Sequence, residues 1–164
     1  MKHLRVLSLG AGVQSTTLLL LSARGDLPTL DAAIFADTGW EPAAVYRHLD
    51  WLIPRATAAG IPIVRVSVGN IRADALRSRV RARRASGQRW AALPYYVDGA
   101  DGREAMLRRQ CTREYKLDPI RRMIRRLGGL DLGERAADRL EVEEWLGISD
   151  PRQQSLFSCG VCAT

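Results

Sequence analysis

Ser8-Leu9-Gly10-Ala11-Gly12-Val13-Gln14-Ser15-Thr16 joins a short, largely apolar run, Arg5 to Leu9, to the apolar segment Gln14 to Arg24. The first run is strand-like, and the second has the length and spacing of a helix with Leu18 to Leu21 turned inward. Two glycines and an alanine between them allow the backbone to approach a cluster of ligand oxygens closely. Unpaired N–H groups of the new helix, together with the Ser15 and Thr16 hydroxyls, would then face an anion where the helix dipole favours one. The segment therefore predicts a strand, a phosphate-binding turn and a helix. It is not a Walker lysine loop, because no Gly-Lys-Ser/Thr follows, and it lacks the third glycine of a dinucleotide fingerprint.

Outward from this turn the unit repeats. Asp31 to Ala36 is a second apolar run ending at Asp37-Thr38-Gly39, and Pro42 to Ala59 has helical spacing through Val45, Leu49, Leu52 and Ile53, with Pro54 bending it. Gly60 stops that helix, and Ile61 to Val68 alternates as a third strand. Strands alternating with helices of this length predict an α/β fold, an open, mostly parallel twisted sheet with helices on both faces and right-handed crossovers. Ile71 to Arg84 reads as a cationic helix and residues 85–104 as a mobile loop. Leu117 to Leu127 is a further helix, Pro119 in its first turn, with an inner stripe of Ile120, Met123, Ile124 and Leu127 opposite Arg121, Arg122, Arg125 and Arg126. Leu140 to Ile148 is the last strand. One domain over residues 1–148 and a poorly ordered tail over residues 149–164 follow.

The 164 residues are 46% apolar, enough for one core. Runs such as Thr16 to Leu21 are too short to span a bilayer, which needs about 20 apolar residues. Met1 to Leu9 lacks the apolar core and cleavage site of a secretory signal, so a cytoplasmic location is the expectation. A net charge of +7, carried almost wholly by Arg, favours anionic partners, either a phosphorylated small molecule or a nucleic acid. Arg77, Arg79, Arg81, Arg83 and Arg84 form one group, read as a solvated helix face rather than a nucleic-acid track. Arg108, Arg109, Arg113 and Lys116 surround Cys111, a setting that would lower a thiol's pKa and hold a phosphate or sulfate. At the carboxyl end of the second strand, Asp37 is placed to accept from a ribose hydroxyl or an adenine amine, or else to cap the next helix with Thr38. Trp40 is open between stacking on a base and anchoring the core. His3 and His48 lack metal-ligand spacing and read as structural.

The cysteines are Cys111 and the pair in Cys159-Gly160-Val161-Cys162. Three thiolates suffice for a [4Fe-4S] cluster with one iron left open; zinc, a redox dithiol and uncommitted thiols in a disordered tail are the other readings.

Several of these segments resemble the phosphoadenosine phosphosulfate reductase family within the N-type ATP pyrophosphatases, whose fold is adenine nucleotide alpha hydrolase-like. Gly10 to Ser15 occupies the frame of the family loop S-G-G-x-D-S, and Phe35-Ala36-Asp37-Thr38-Gly39-Trp40-Glu41 looks like its D-T-G segment. Gln110 to Ile120 resembles its C-C-x-x-R-K-x-x-P-L block, and Val142 to Ser149 is similar to a strand of phage and bacterial members. The resemblance covers most of residues 4–148. It implies an enzyme acting on ATP or a sulfonucleotide, in sulfur transfer to a nucleic acid (tRNA or DNA) or in reduction of phosphoadenosine phosphosulfate with an external thiol donor; a sulfur-donor protein and a homodimer are further implied partners. The nucleotide set is Ser8, Gly10, Ala11, Gly12, Val13, Gln14, Ser15, Thr16, Asp37, Thr38 and Gly39. The catalytic set is Cys111, Arg109, Arg113 and Lys116, and the cluster ligands are Cys111, Cys159 and Cys162, a separated cysteine plus C-x-x-C as in iron-sulfur members. The chain departs from the pattern at Gly10 and at Gln14, the latter replacing the loop Asp and putting Mg2+ dependence in question. Thr112 and Tyr115 depart from the later block, so the reductase's sulfur chemistry does not carry over intact. The ending two residues past Cys162 reads as a truncation, and a non-catalytic nucleotide or nucleic-acid binding protein is the remaining alternative.

Overall fold

A computed structural model describes residues 1–76, 79–80, 88–89, 96–98, 104–106, 112–131, 134–135 and 139–147. Strand β1 (Lys2–Ser8) leads through the glycine turn into helix α1 (Val13–Arg24), which ends on Gly25 in the left-handed conformation. Strand β2 (Ala32–Asp37), helix α2 (Ala43–Ala58) and strand β3 (Ile63–Ser67) repeat the unit. Helix α3 (Ile71–Leu76) is short. It is followed by the small strands β4 (Arg79–Val80), β5 (Gln88–Arg89), β6 (Tyr96–Asp98) and β7 (Glu104–Met106). A π-helical turn, Arg113–Leu117, then opens directly into helix α4 (Asp118–Leu127), and strand β8 (Leu140–Leu146) closes the described chain.

Strands β3, β2, β1 and β8 lie side by side in that order, all parallel. The central pair is buried on both faces, as parallel strands require. Leu7, Leu9, Ala33 and Phe35 project to one side, against Leu19 of α1 and Leu49, Leu52 and Ala56 of α2. Leu4, Val6, Ala32, Ile34 and Ala36 project to the other, against Ile120 and Ile124 of α4. This is the two-residue alternation of a pleated strand read on two cores at once. Each large side chain so buried contributes roughly 1.5–3 kcal/mol of transfer free energy. The expected open parallel sheet with helices on both faces is therefore the observed fold.

The order places a reversal beside β1. From β1 the chain steps outward through α1 to β2 and through α2 to β3, both helices on one face; it returns by α4 on the opposite face to β8, on the other side of β1. Ser8 is level with Ile34 of β2 and Leu146 of β8, so the turns that follow all emerge at one edge. Ligands of open α/β sheets bind outside the carboxyl ends of the strands at such a reversal.

Several expectations change in detail. The cationic helix expected over Ile71 to Arg84 ends at Leu76; Arg79–Val80 instead pairs antiparallel with Gln88–Arg89. Arginine tolerates helix and strand alike, so its run did not mark the break. Within 85–104, Tyr96–Asp98 pairs antiparallel with Glu104–Met106. The rest of the stretch read as a mobile loop, and the tail over residues 149–164, lie outside the described residues. Of Leu18 to Leu21 only Leu19 is fully buried, and Ile53 of α2 is exposed. The helix expected from Leu117 is preceded by a π turn, in which the Asp118 amide, just ahead of Pro119, reaches back five residues to the Arg113 carbonyl. No helix among the described residues is long and apolar enough to cross a membrane.

Candidate nucleotide site at the carboxyl edge of the sheet

The β1–α1 turn begins where Leu9 N–H donates to the Ile34 carbonyl, 2.9 Å. Ala11 then takes a left-handed φ of 53°, the only non-glycine among the described residues with a positive φ. That step costs a β-carbon roughly 1–2 kcal/mol. Backbone tension of this kind gathers at functional turns. Gly12 stands before the helix without a capping side chain, and the first turn of α1 contains no acid. The first helical donor with a partner is Thr16 N–H, to the Gly12 carbonyl at 3.0 Å. The amides from Gly10 to Ser15 therefore have no acceptor among the described residues. Val13 and Gln14 are exposed, and no side chain among the described residues accepts from these amides.

One main-chain group does close on it. A β-carbon at Gly147, the residue after β8, would stand 2.6 Å from the Ser15 amide nitrogen and 3.0 Å from Gln14 Cβ. The exit of β8 thus rests on the first turn of α1, against Gln14 and the Ser15 amide. Ser15 Oγ donates to the Gly12 carbonyl at 3.3 Å. Thr16 is not brought to the turn. Its Oγ1 lies 2.9 Å from His48 Nε2 at the contact with α2, where His48 also stacks on Trp51. His48 thus links α1 to α2. His3 lies 3.8 Å from Glu143. Glu143 accepts from the Trp145 indole and from Arg5, which together hold its carboxyl below the usual range.

Asp37, 5% exposed at the end of β2, is fully engaged. Oδ1 accepts from Gly39 N–H at 2.8 Å and Tyr46 O–H at 2.9 Å; Oδ2 accepts from Arg65 Nε at 2.8 Å and from Arg65 Nη2. Burial pushes this carboxyl up, but the Gly39 amide, Arg65 and Tyr46 outweigh it and hold it below its ordinary value. Arg65, raised chiefly by its bond to Asp37, lies over the Tyr46 ring. The next two carbonyls are also taken, Thr38 by Ile71 N–H and Gly39 by Asn70 Nδ2. Gly39, at φ 71°, lies so close to Gly69 and Asn70 that a β-carbon would meet both at 3.0 Å. Asp37, Thr38 and Gly39 thus form a fixed wall knitted to the end of β3. Trp40 is no core anchor: it is 54% exposed, with Arg72 5.7 Å above its ring.

The π turn reaches the same wall. Lys116 Nζ lies 3.7 Å from Glu41 Oε1, the oxygen that also accepts from Thr38 Oγ1 at 3.0 Å. Tyr115, buried, donates to Asp74 of α3 at 2.7 Å. Arg113 stands 3.8 Å from Asp118 and is mostly exposed. Lys116 is therefore brought beside the Asp37–Gly39 segment from which the sequence separates it. Arg109, Cys111, Cys159 and Cys162 lie outside the described residues, and among the described residues no three His, Cys, Asp or Glu side chains converge as a metal site.

Sequence reasoning missed four participants. Tyr46 and Arg65 hold Asp37, Glu41 receives Lys116, and Gly147 seats β8 on α1. Glu41 lay inside a segment already singled out; the others carry no local motif, since their roles depend on neighbours across the sheet. The fold and this edge define an open parallel α/β protein with a glycine turn at the reversal of strand order. Comparison with protein-family models, curated proteins and solved structures finds no match for the chain.

Proposed function

We propose that this chain binds an adenine nucleotide, ATP or phosphoadenosine phosphosulfate, with its phosphates on the Gly10–Ser15 turn, and acts on it as an enzyme of sulfur transfer or sulfonucleotide reduction. One observation carries the reading. A helix start that is uncapped, has amides without partners among the described residues and has no acid in its first turn lies at the carboxyl edge of a parallel sheet, at the reversal of strand order. Pre-aimed amides at this position stabilise charge that builds on phosphate oxygens in a transition state. The Asp37–Gly39 segment shapes the wall, with the carboxylate acting through Gly39, Tyr46 and Arg65 rather than on the ligand. Trp40 offers an exposed ring face to a base. Lys116 adds a cation that can leave Glu41 for a phosphate. Cys111 directly precedes Thr112, the residue that opens the π turn; in this reading its thiol carries sulfur or ligates a cluster with Cys159 and Cys162. Gln14 in the first turn, where the resembled loop has an acid, favours a second reading in which the nucleotide is bound without turnover.

Isothermal titration with ATP and with phosphoadenosine phosphosulfate tests the first step. Saturable binding of either supports the proposal, and heats at background for both overturn it. Product assay then separates the activities. Pyrophosphate release marks ATP activation, sulfite marks reduction, and binding without either product under magnesium and reductant marks the second reading.

A further inference from the structure

Helix α4 has a second face that the nucleotide reading does not use. Its inner stripe, Ile120 and Ile124, is buried against the sheet, which turns Arg121, Arg122 and Arg126 outward and leaves Arg125 half-buried beside them. Arg121 with Arg125, and Arg122 with Arg126, are like charges four residues apart, an arrangement that weakens an isolated helix. None of the four stands within 4.0 Å of a carboxylate among the described residues. Among the described residues Arg122 bonds only the Asp118 carbonyl of its own helix, and the Arg121 charge acts at longer range on Glu144 of β8, whose carboxyl is held above its ordinary value by burial. Arg125 differs, since its guanidinium holds the carbonyls of Asp131 and Glu134 and closes the following turn.

The direction of the helix gives this face a destination. Lys2 Nζ, at the start of β1, donates to the Leu127 carbonyl at 2.6 Å. The other end grows from the π turn, whose Lys116 meets Glu41 beyond the end of β2. Helix α4 therefore runs antiparallel to the strands, and its cations form a line from the foot of the sheet toward the candidate nucleotide edge. Successive arginine pairs are one turn apart, a rise of about 6 Å. All four side chains in the line along α4 are Arg, whose planar fork suits phosphate oxygens better than an ammonium does.

We propose that the outer face of α4 is a docking ridge for the phosphodiester backbone of a nucleic acid, directing the strand toward the carboxyl edge of the sheet. The ridge binds backbone rather than base edges, so its contact is independent of base sequence and sensitive to salt. It goes beyond the nucleotide reading and stands without it.

Fluorescence anisotropy with a labelled mixed-sequence RNA hairpin, between about 50 and 200 mM salt, tests the ridge on the full chain. The variant R121Q/R122Q/R126Q leaves Arg125 to hold its turn. The expected result is binding by the parent whose log affinity falls with log salt. In the variant, affinity drops at least tenfold at the lower salt and the slope shrinks by roughly two to three, one counterion for each lost phosphate contact. Circular dichroism identifies a misfolded variant; in that case single R122Q and R126Q chains replace it, each expected to lose a fraction of the same slope. No binding by the parent, an unchanged slope in folded variants, or equal competition by polyglutamate would each overturn the proposal, the last by pointing to an acidic protein instead. Titration of ATP into the same variant separates the two sites: nucleotide affinity stays at the parental value if the ridge alone has been removed.

Discussion

Asp37 shows how one side chain determines the form of a loop. Its four hydrogen bonds tie the end of β2 to α2 through Tyr46, to β3 through Arg65 and to its own turn through Gly39. Because the folded carboxyl titrates below its ordinary value, its contribution is complete above that value and is lost as pH falls through the folded one. Asp37→Asn is therefore expected to destabilise the protein by about 1–3 kcal/mol at neutral pH, and urea titrations at descending pH should show the gap closing below about pH 4. A gap that stays constant would contradict this role. Gly147 makes the complementary case. A methyl at 2.6 Å from Ser15 N meets backbone on a helix, which cannot swing aside. Gly147→Ala is expected to lower stability by about 1–3 kcal/mol and to weaken nucleotide binding at least tenfold, read by thermal melts and calorimetry. Parental values in both would show that β8 does not brace the turn.

Among the elements, the π turn is the joint between sequence-distant parts. Tyr115→Phe removes the bond to Asp74. The expected cost is about 1–3 kcal/mol, with faster amide exchange over Arg113–Leu117 and unchanged protection in β1 and β2. Uniformly faster exchange would mean that the turn is no separate unit. Elements built by short-range rules were legible in the sequence. The glycine turn, the proline in the first turn of α4 and the apolar runs of β1 and β2 place their elements to within a few residues. The break after Leu76 was not legible, because the arginines that follow suit a helix as well as a strand. Nor was the parallel pairing of β8 beside β1, since its Glu and apolar alternation fits several edge positions. The position of Thr16 at the helix start predicts a hydroxyl at the turn, but a helix rotates about 100° per residue, and that carries the hydroxyl to His48 instead.

Across the whole molecule, the sheet order turns local patterns into a site. Glycines after β1 are common in α/β proteins and bind nothing by themselves. Here the chain leaves β1 along one face and returns to β8 along the other, so the turn opens at the reversal and Gly147 closes one side of it. The same order sets α4 along the opposite face with its cations outward. Both proposals rest on this arrangement, and they differ in the amides and side chains that a ligand would touch. The most direct test of the central one is a nitrogen-15 amide spectrum recorded as ATP, or phosphoadenosine phosphosulfate, is added to the full chain. Saturable shifts are expected at Gly10, Ala11, Gly12, Val13 and Gln14, with smaller ones at Gly39 and Trp40. Shifts confined to other parts of the chain, or none at saturating nucleotide, would contradict it.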